Sequence, residues 1–261
     1  MDSPELTKPV STTTISLNDV ADRYLSHYQK LFDISMFSLS SFRKASEQDY
    51  DEFAQQLIVM PKNNARMGFD KAKDATETWV LKHVLAESLG SVVPLMEDCR
   101  TICALCDYKT AKKNNQTELQ TITGKQRQEF IALPLPEKFK LLKQKFGLES
   151  EVQEHVQSLL QVTRALARDS VLTDAETEGK PETTLKIRAV TLVQNPAKGP
   201  GGEATVNLSR KITDNSRVVK VGDRITFSKA EQFGSLVTMA IFLGSMLQGV
   251  QAYAKKTGAA S

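Results

Sequence analysis

The chain has 261 residues, a net charge of +3, 40% hydrophobic and 25% charged residues, and three cysteines. A chain of this length can bury a full core without disulfide or metal staples, and these proportions are those of an ordinary soluble globular protein. The charge is too small for the whole surface to address a polyanion. An odd, closely spaced set of cysteines excludes a disulfide framework and predicts a reducing, cytoplasmic setting.

Residues 1–17 are rich in Ser, Thr and Pro and lack the basic start and long apolar stretch of a signal peptide, so they read as a flexible lead-in. The rest, 18–261, is expected to be one helical domain with a β insertion at about 183–228. From Asn18 to Phe42 the apolar residues Val20, Tyr24, Leu25, Tyr28, Leu31 and Phe32 recur at three- and four-residue steps, which places them on one helix face. Asp49–Val59 predicts a shorter helix, ended by Met60-Pro61 because proline disfavours the helical conformation in the residue before it. Helical spacing then runs from about Asp74 to Tyr108, and Pro94 is expected to kink this long helix.

Residues 109–129 are polar and predict an exposed connection. Pro136–Phe146 reads as a short basic helix closed by Gly147, and Glu151–Arg168 as another helix burying Val152, Val156, Leu159, Leu160, Thr163 and Ala167. Thr183–Val193, Ala204–Ile212 and Arg217–Phe227 alternate apolar and polar residues, which predicts three antiparallel strands. Ser228-Lys-Ala-Glu231 is a capping-box sequence opening a last helix that ends near Lys256. The 23 residues 232–254 carry no charge. That is long enough for a membrane tail anchor, but Gln232, Ser235, Thr238, Ser245, Gln248 and Gln251 interrupt the stretch, so it is read as a core helix and no membrane partner is expected.

Cys99, Cys103 and Cys106 have the C-x3-C-x2-C spacing that resembles the cluster-binding motif of radical S-adenosylmethionine enzymes, in which three thiolates hold an iron–sulfur cluster. Gly201-Gly202-Glu203 is similar to a second motif of those enzymes but lies far downstream. The cysteines also continue the helical stripe of Val92 and Met96, where free cysteine acts as a small hydrophobe. The expectation is therefore core cysteines and no cofactor, with a metal or cluster site at the three thiols as the alternative. His27, His83 and His155 each sit alone, and no nucleophile elbow, P-loop or H-E-x-x-H sequence occurs. Between Lys180 and Lys229 ten basic residues face four acidic ones. Lys186, Arg188, Arg210 and Lys211 thus become candidates for contact with an anion or RNA, against the plainer reading of a solvated, edge-protecting hairpin.

The segment Leu133–Gly147 followed by Leu159–Asp169 resembles the HEPN-like helical domains, as does the final helix after an insert; the likeness covers residues of about 133–256. In that family a helix ends in an arginine followed after a few residues by a histidine, and in its ribonucleases these residues from two subunits meet on the RNA phosphate. The resemblance implies that Arg164 is the arginine, while Ser170 stands where the histidine belongs and cannot carry protons near neutral pH as imidazole does. It therefore implies a non-enzymatic binding or interaction protein, a homo-oligomer or bound to a protein partner, with Arg164 and Arg168 capping the helix end or holding an anion such as RNA. The alternatives are a ribonuclease with an unrecognised base and, behind it, an iron–sulfur protein. The expected fold is mainly α, a helical bundle with a small antiparallel β insertion before the last helix.

Overall fold

The computed structural model describes residues 16–56, 67–111, 116–168, 170–198 and 204–259. The lead-in lies outside this set up to residue 15, as do the Gly-rich stretch 199–203 and the end of the second sequence-predicted helix. The fold is mainly helical, with a two-stranded antiparallel ribbon inserted before the last helix.

Helix α1, Leu17–Lys44, opens on Ser16, whose hydroxyl accepts the Asp19 amide at 3.4 Å. It buries Val20, Tyr24, Tyr28 and Leu31 of the stripe its sequence announces, whereas Leu25 is exposed and Phe32 half-buried, one position off the buried face. A short α2, Glu47–Gln56, follows. The long helix expected from Asp74 to Tyr108 is two helices, α3 Phe69–Gly90 and α4 Val92–Thr110, divided at Gly90-Ser91. Pro94 makes no kink, because it sits in the first turn of α4, where its missing N–H has no intrahelical acceptor to lose. The Tyr28 hydroxyl seals the break by donating to the Ser88 carbonyl at 3.1 Å while accepting from Ser91 at 3.0 Å.

Residues 116–132 are not a simple connection but two short helices, α5 Gln116–Thr123 and α6 Lys125–Ala132, which bury Ile122 and Phe130. Arg100, buried on α4, reaches across to the Ile122 carbonyl at 3.2 Å and to Gln126 at 2.6 Å, and Glu97 pairs with Arg127. Helix α7, Leu135–Leu141, continues into a π-helical turn, Leu142–Phe146, that ends at Gly147 with φ +69°, the left-handed stop its sequence predicts. Buried Lys138 donates to the carbonyls of Ile131 and Leu133, closing the end of α6. The predicted helix over 151–168 is α8, Gln153–Gln161, and α9, Thr163–Ala167, separated at Val162.

Two strands, β1 Glu182–Lys198 and β2 Ala204–Lys220, pair in register from Glu182↔Lys220 to Lys198↔Ala204. The expected third strand does not form. Residues 213–216 extend β2, and the chain turns away at Gly222, φ +92°, so that the Leu172 and Ile225 amides donate to the Asp223 and Ser170 carbonyls. Leu185, Ile187 and Ala189 enter the core, whereas Thr191, Gln194 and residues 209–212 are exposed, so the far half of the ribbon stands off the bundle.

Helix α10, Lys229–Lys256, has the predicted capping box: Ser228 accepts the Glu231 amide at 3.3 Å and Glu231 accepts the Ser228 amide at 2.8 Å. Its length and composition would let it cross a bilayer, but here it runs through the middle of the molecule against β1, α4, α3 and α8. Met239, Phe242, Leu243, Met246 and Val250 are buried in one apolar cluster that extends from Val20 to Ala254, and Leu236 joins Leu31 and Val84 in a second, smaller one. Buried Ser235 and Thr238 return their hydroxyls to the helix backbone at 2.8 Å, which satisfies them without water.

Candidate functional site

A polar hollow of about 660 Å³ opens between α8, α9, the 175–180 segment and the start of β1. Arg164 comes to it from α9, Lys180 from the segment before β1, and Lys186 from β1 itself. The Cβ alternation of β1 sends Leu185 and Ile187 into the core and Lys186 to the other face. Lys186 is neutralised there by Glu154 of α8, and the ammonium holds that carboxyl below the usual carboxylate range. Arg164 and Lys180 make no side-chain hydrogen bond or ion pair among the described residues. Opposite them stands one carboxylate of the same kind, Glu178, whose φ of +55° continues into Gly179 at +77°.

The back of the hollow is a fixed network. Glu176 is buried, and burial alone would raise its carboxyl. The Thr173 hydroxyl and amide and the Arg168 guanidinium at 2.8 Å outweigh that and hold it below its ordinary value. Gln161 donates to the Glu176 carbonyl at 2.8 Å and accepts from Thr183 at 3.1 Å, which ties α8 to β1 under the opening.

The candidate residues therefore separate into three groups. Arg164 and Lys186 share the hollow. Arg168 turns to Glu176, so its anion is supplied from within the fold. Arg188, two residues beyond Lys186 on β1, is likewise paired within the fold, donating to Asp214 at 2.8 Å and approaching Glu151 at 3.8 Å. Arg210 and Lys211 sit apart from the hollow, exposed on the outer half of β2 opposite Leu192 and Thr191. Sequence reasoning missed Lys180. Its only sequence signal was membership of the basic stretch.

Arg164 and Ser170 do not meet. Ser170, held at φ +67° by a 2.8 Å bond from its amide to the Ala165 carbonyl, lines a different hollow on the far side of the α9 end. Among the described residues no histidine lines the Arg164 hollow. His155, the nearest in sequence, lies 3.4 Å from Asp214, and burial pushes its imidazole below its ordinary value, so it is neutral near pH 7.

Cys99, Cys103 and Cys106 lie on consecutive turns of α4, in the core. Burial pushes all three thiols up, Cys103 to about 12. A helix holds these sulfurs in a row along one face, whereas a cluster needs them to converge on one point. The residues present do not fit such a group.

Compared with family models, with curated proteins and with solved structures, the chain matches none.

Proposed function

We propose that this chain is a HEPN-like, non-catalytic binding protein that takes an anionic partner, RNA in the first place, at the Arg164 hollow. The observation that carries the reading is the convergence of Arg164 and Lys180, from separate elements, on one open polar hollow in which neither has a partner among the described residues. A phosphate group supplies what two such cations lack, and counterion release adds to the gain. Arg210 and Lys211, apart from the hollow on the exposed half of the ribbon, supply a second cationic contact for a long strand.

The acid chemistry of the hollow favours binding over catalysis. A general base working near pH 7 needs a pKa close to that value, yet Glu154 and Glu176 are both held lower than an ordinary carboxylate. No imidazole lines the site among the described residues, and Ser170 faces elsewhere. The reading includes self-association, as the resemblance implies, and sedimentation of the purified chain measures it.

The test is a gel assay with end-labelled single-stranded RNA on the wild-type chain, Arg164→Ala and Lys180→Ala. Retarded, intact RNA, weakened several-fold by each substitution and by added salt, is the expected result. Cleavage that Arg164→Ala abolishes overturns the non-catalytic reading, and RNA that migrates freely overturns the choice of RNA.

A further inference from the structure

The hollow that receives Ser170 has a different character. It measures about 610 Å³, within the range of small-molecule sites, and lies between α3, the end of α9 and the segment leading into α10. Leu85, Leu166 and Ile225, all buried, give it an apolar floor. Its walls carry two aromatic rings. Trp79 is the one tryptophan of the chain and is 58% exposed. It is steadied by His83, whose ring lies 4.0 Å away and whose Nδ1 is 2.8 Å from the Trp79 carbonyl. Phe227 is held from behind by Arg217, which stacks 5.2 Å from the ring centre and donates to the neighbouring Thr226 carbonyl.

Polar groups share the hollow with these rings. Lys82 gives one ammonium proton to the Arg168 carbonyl at 2.9 Å and has two left. Arg224 is exposed, and its guanidinium has no partner among the described residues. Asp74 and Thr78 complete the rim. Gln232 is 7% exposed; its Nε2 donates to the Phe227 carbonyl at 3.0 Å, which fixes the amide so that buried Oε1 accepts no bond among the described residues. A buried acceptor without a donor is costly to the fold, and a ligand N–H that pushes in between the lining side chains to reach it recovers that loss.

We propose that this hollow binds a small planar heteroaromatic anion. Its ring lies against Trp79 and Phe227, a ring N–H turns toward Gln232, and its carboxylate or phosphate sits at Lys82 and Arg224. Exposed tryptophan beside an apolar floor gives the stacking surface, the two cations set the sign of the substituent, and Gln232 selects a ring that donates. The site is separate from the Arg164 hollow and does not depend on the RNA reading.

Trp79 reports on its own site, since no other tryptophan contributes to the emission. The full chain is titrated with uridine 5′-monophosphate and with pyrrole-2-carboxylate, two anions with a ring N–H, one a nucleotide and one a small acid. Uridine without the phosphate and benzoate without the N–H serve as controls, and calorimetry repeats each titration. Saturable quenching below about 1 mM by one of the two anions, at least about tenfold weaker for its control and in Arg224→Ala, is expected. The anion that binds identifies the source, nucleotide or small acid. Arg224 is a surface side chain, and an unchanged melting temperature shows that the variant is folded. The proposal is overturned if neither anion quenches saturably, or if Arg224→Ala binds as the wild-type chain does.

Discussion

A methyl group placed on Gly234 would lie 2.0 Å from the carbonyl oxygen of Arg188 and 2.9 Å from the Ala189 Cα, so α10 and β1 touch backbone to backbone at this point. The contact seats the ribbon and thereby sets where Lys186 and Arg188 emerge. Backbone atoms cannot swing aside as a flexible side chain can, so Gly234→Ala must push helix and strand apart. The expected loss is about 3 kcal/mol, a melting temperature lower by roughly 10 °C. Gly244→Ala, on the same helix with open space beside it, should be neutral or slightly stabilising. Thermal denaturation of the two variants makes the comparison, and an unaffected Gly234→Ala would contradict the close approach.

Glu176 predicts a pH dependence. Its carboxyl is held below its ordinary value in the folded chain, so folding favours the charged form. The stability this supplies is complete above the unfolded pKa of about 4.3 and is lost as pH falls through the lower folded value. Glu176→Gln should therefore cost about 2 kcal/mol at pH 7 by denaturant titration. The gap between variant and wild type should close on acidification below about pH 4. A gap that stays constant from pH 7 to pH 3 would show that packing rather than charge is responsible.

Lys138 makes an opposite use of a buried charge. Its ammonium serves two carbonyls at the end of α6, and burial lowers its pKa without removing the need for those bonds. Lys138→Met keeps the aliphatic stem and strands both acceptors, so it should destabilise by about 2 kcal/mol. Faster amide hydrogen exchange should be confined to α6 and the start of α7. If exchange rises evenly over the whole chain instead, Lys138 has no local capping role.

Local chemistry was legible in the sequence where one element carries its own signal: the Ser228 capping box, the stop at Gly147 and the face of α1. The sequence predicts one long helix kinked at Pro94, because proline is the stronger breaker in a helix interior. Once Gly90-Ser91 ends the first helix, Pro94 falls in a first turn and costs nothing. Helices α5 and α6 were missed because each is eight residues long and mostly polar. Ile122 and Phe130 are their principal anchors, and the tether from Arg100 comes from another helix. Asp214-Asn215-Ser216 resembles a turn, yet Asp214 is held in the ladder opposite Arg188. Of the site, Arg164 and Lys186 were named from sequence. That they share a hollow with Lys180, and that Arg168 does not join them, is tertiary: Glu176 claims one arginine and leaves the other.

The cysteines give a last prediction. Alkylation requires thiolate, and at pH 8 a thiol raised to about 12 is ionised in only about one molecule in ten thousand. Cys103 and Cys99 are also closed to reagent, fully buried in the shared core. Cys106, at 8% exposure and with a smaller shift, should be the first of the three to react. Treated with iodoacetamide at pH 8, the native chain should label slowly and at Cys106 first, and guanidinium should bring all three to full modification together, as read by mass spectrometry. Rapid labelling of Cys99 in the native state would mean that α4 opens readily. The core that packs α4 against α10 and buries Cys99 completely gives no reason for such opening.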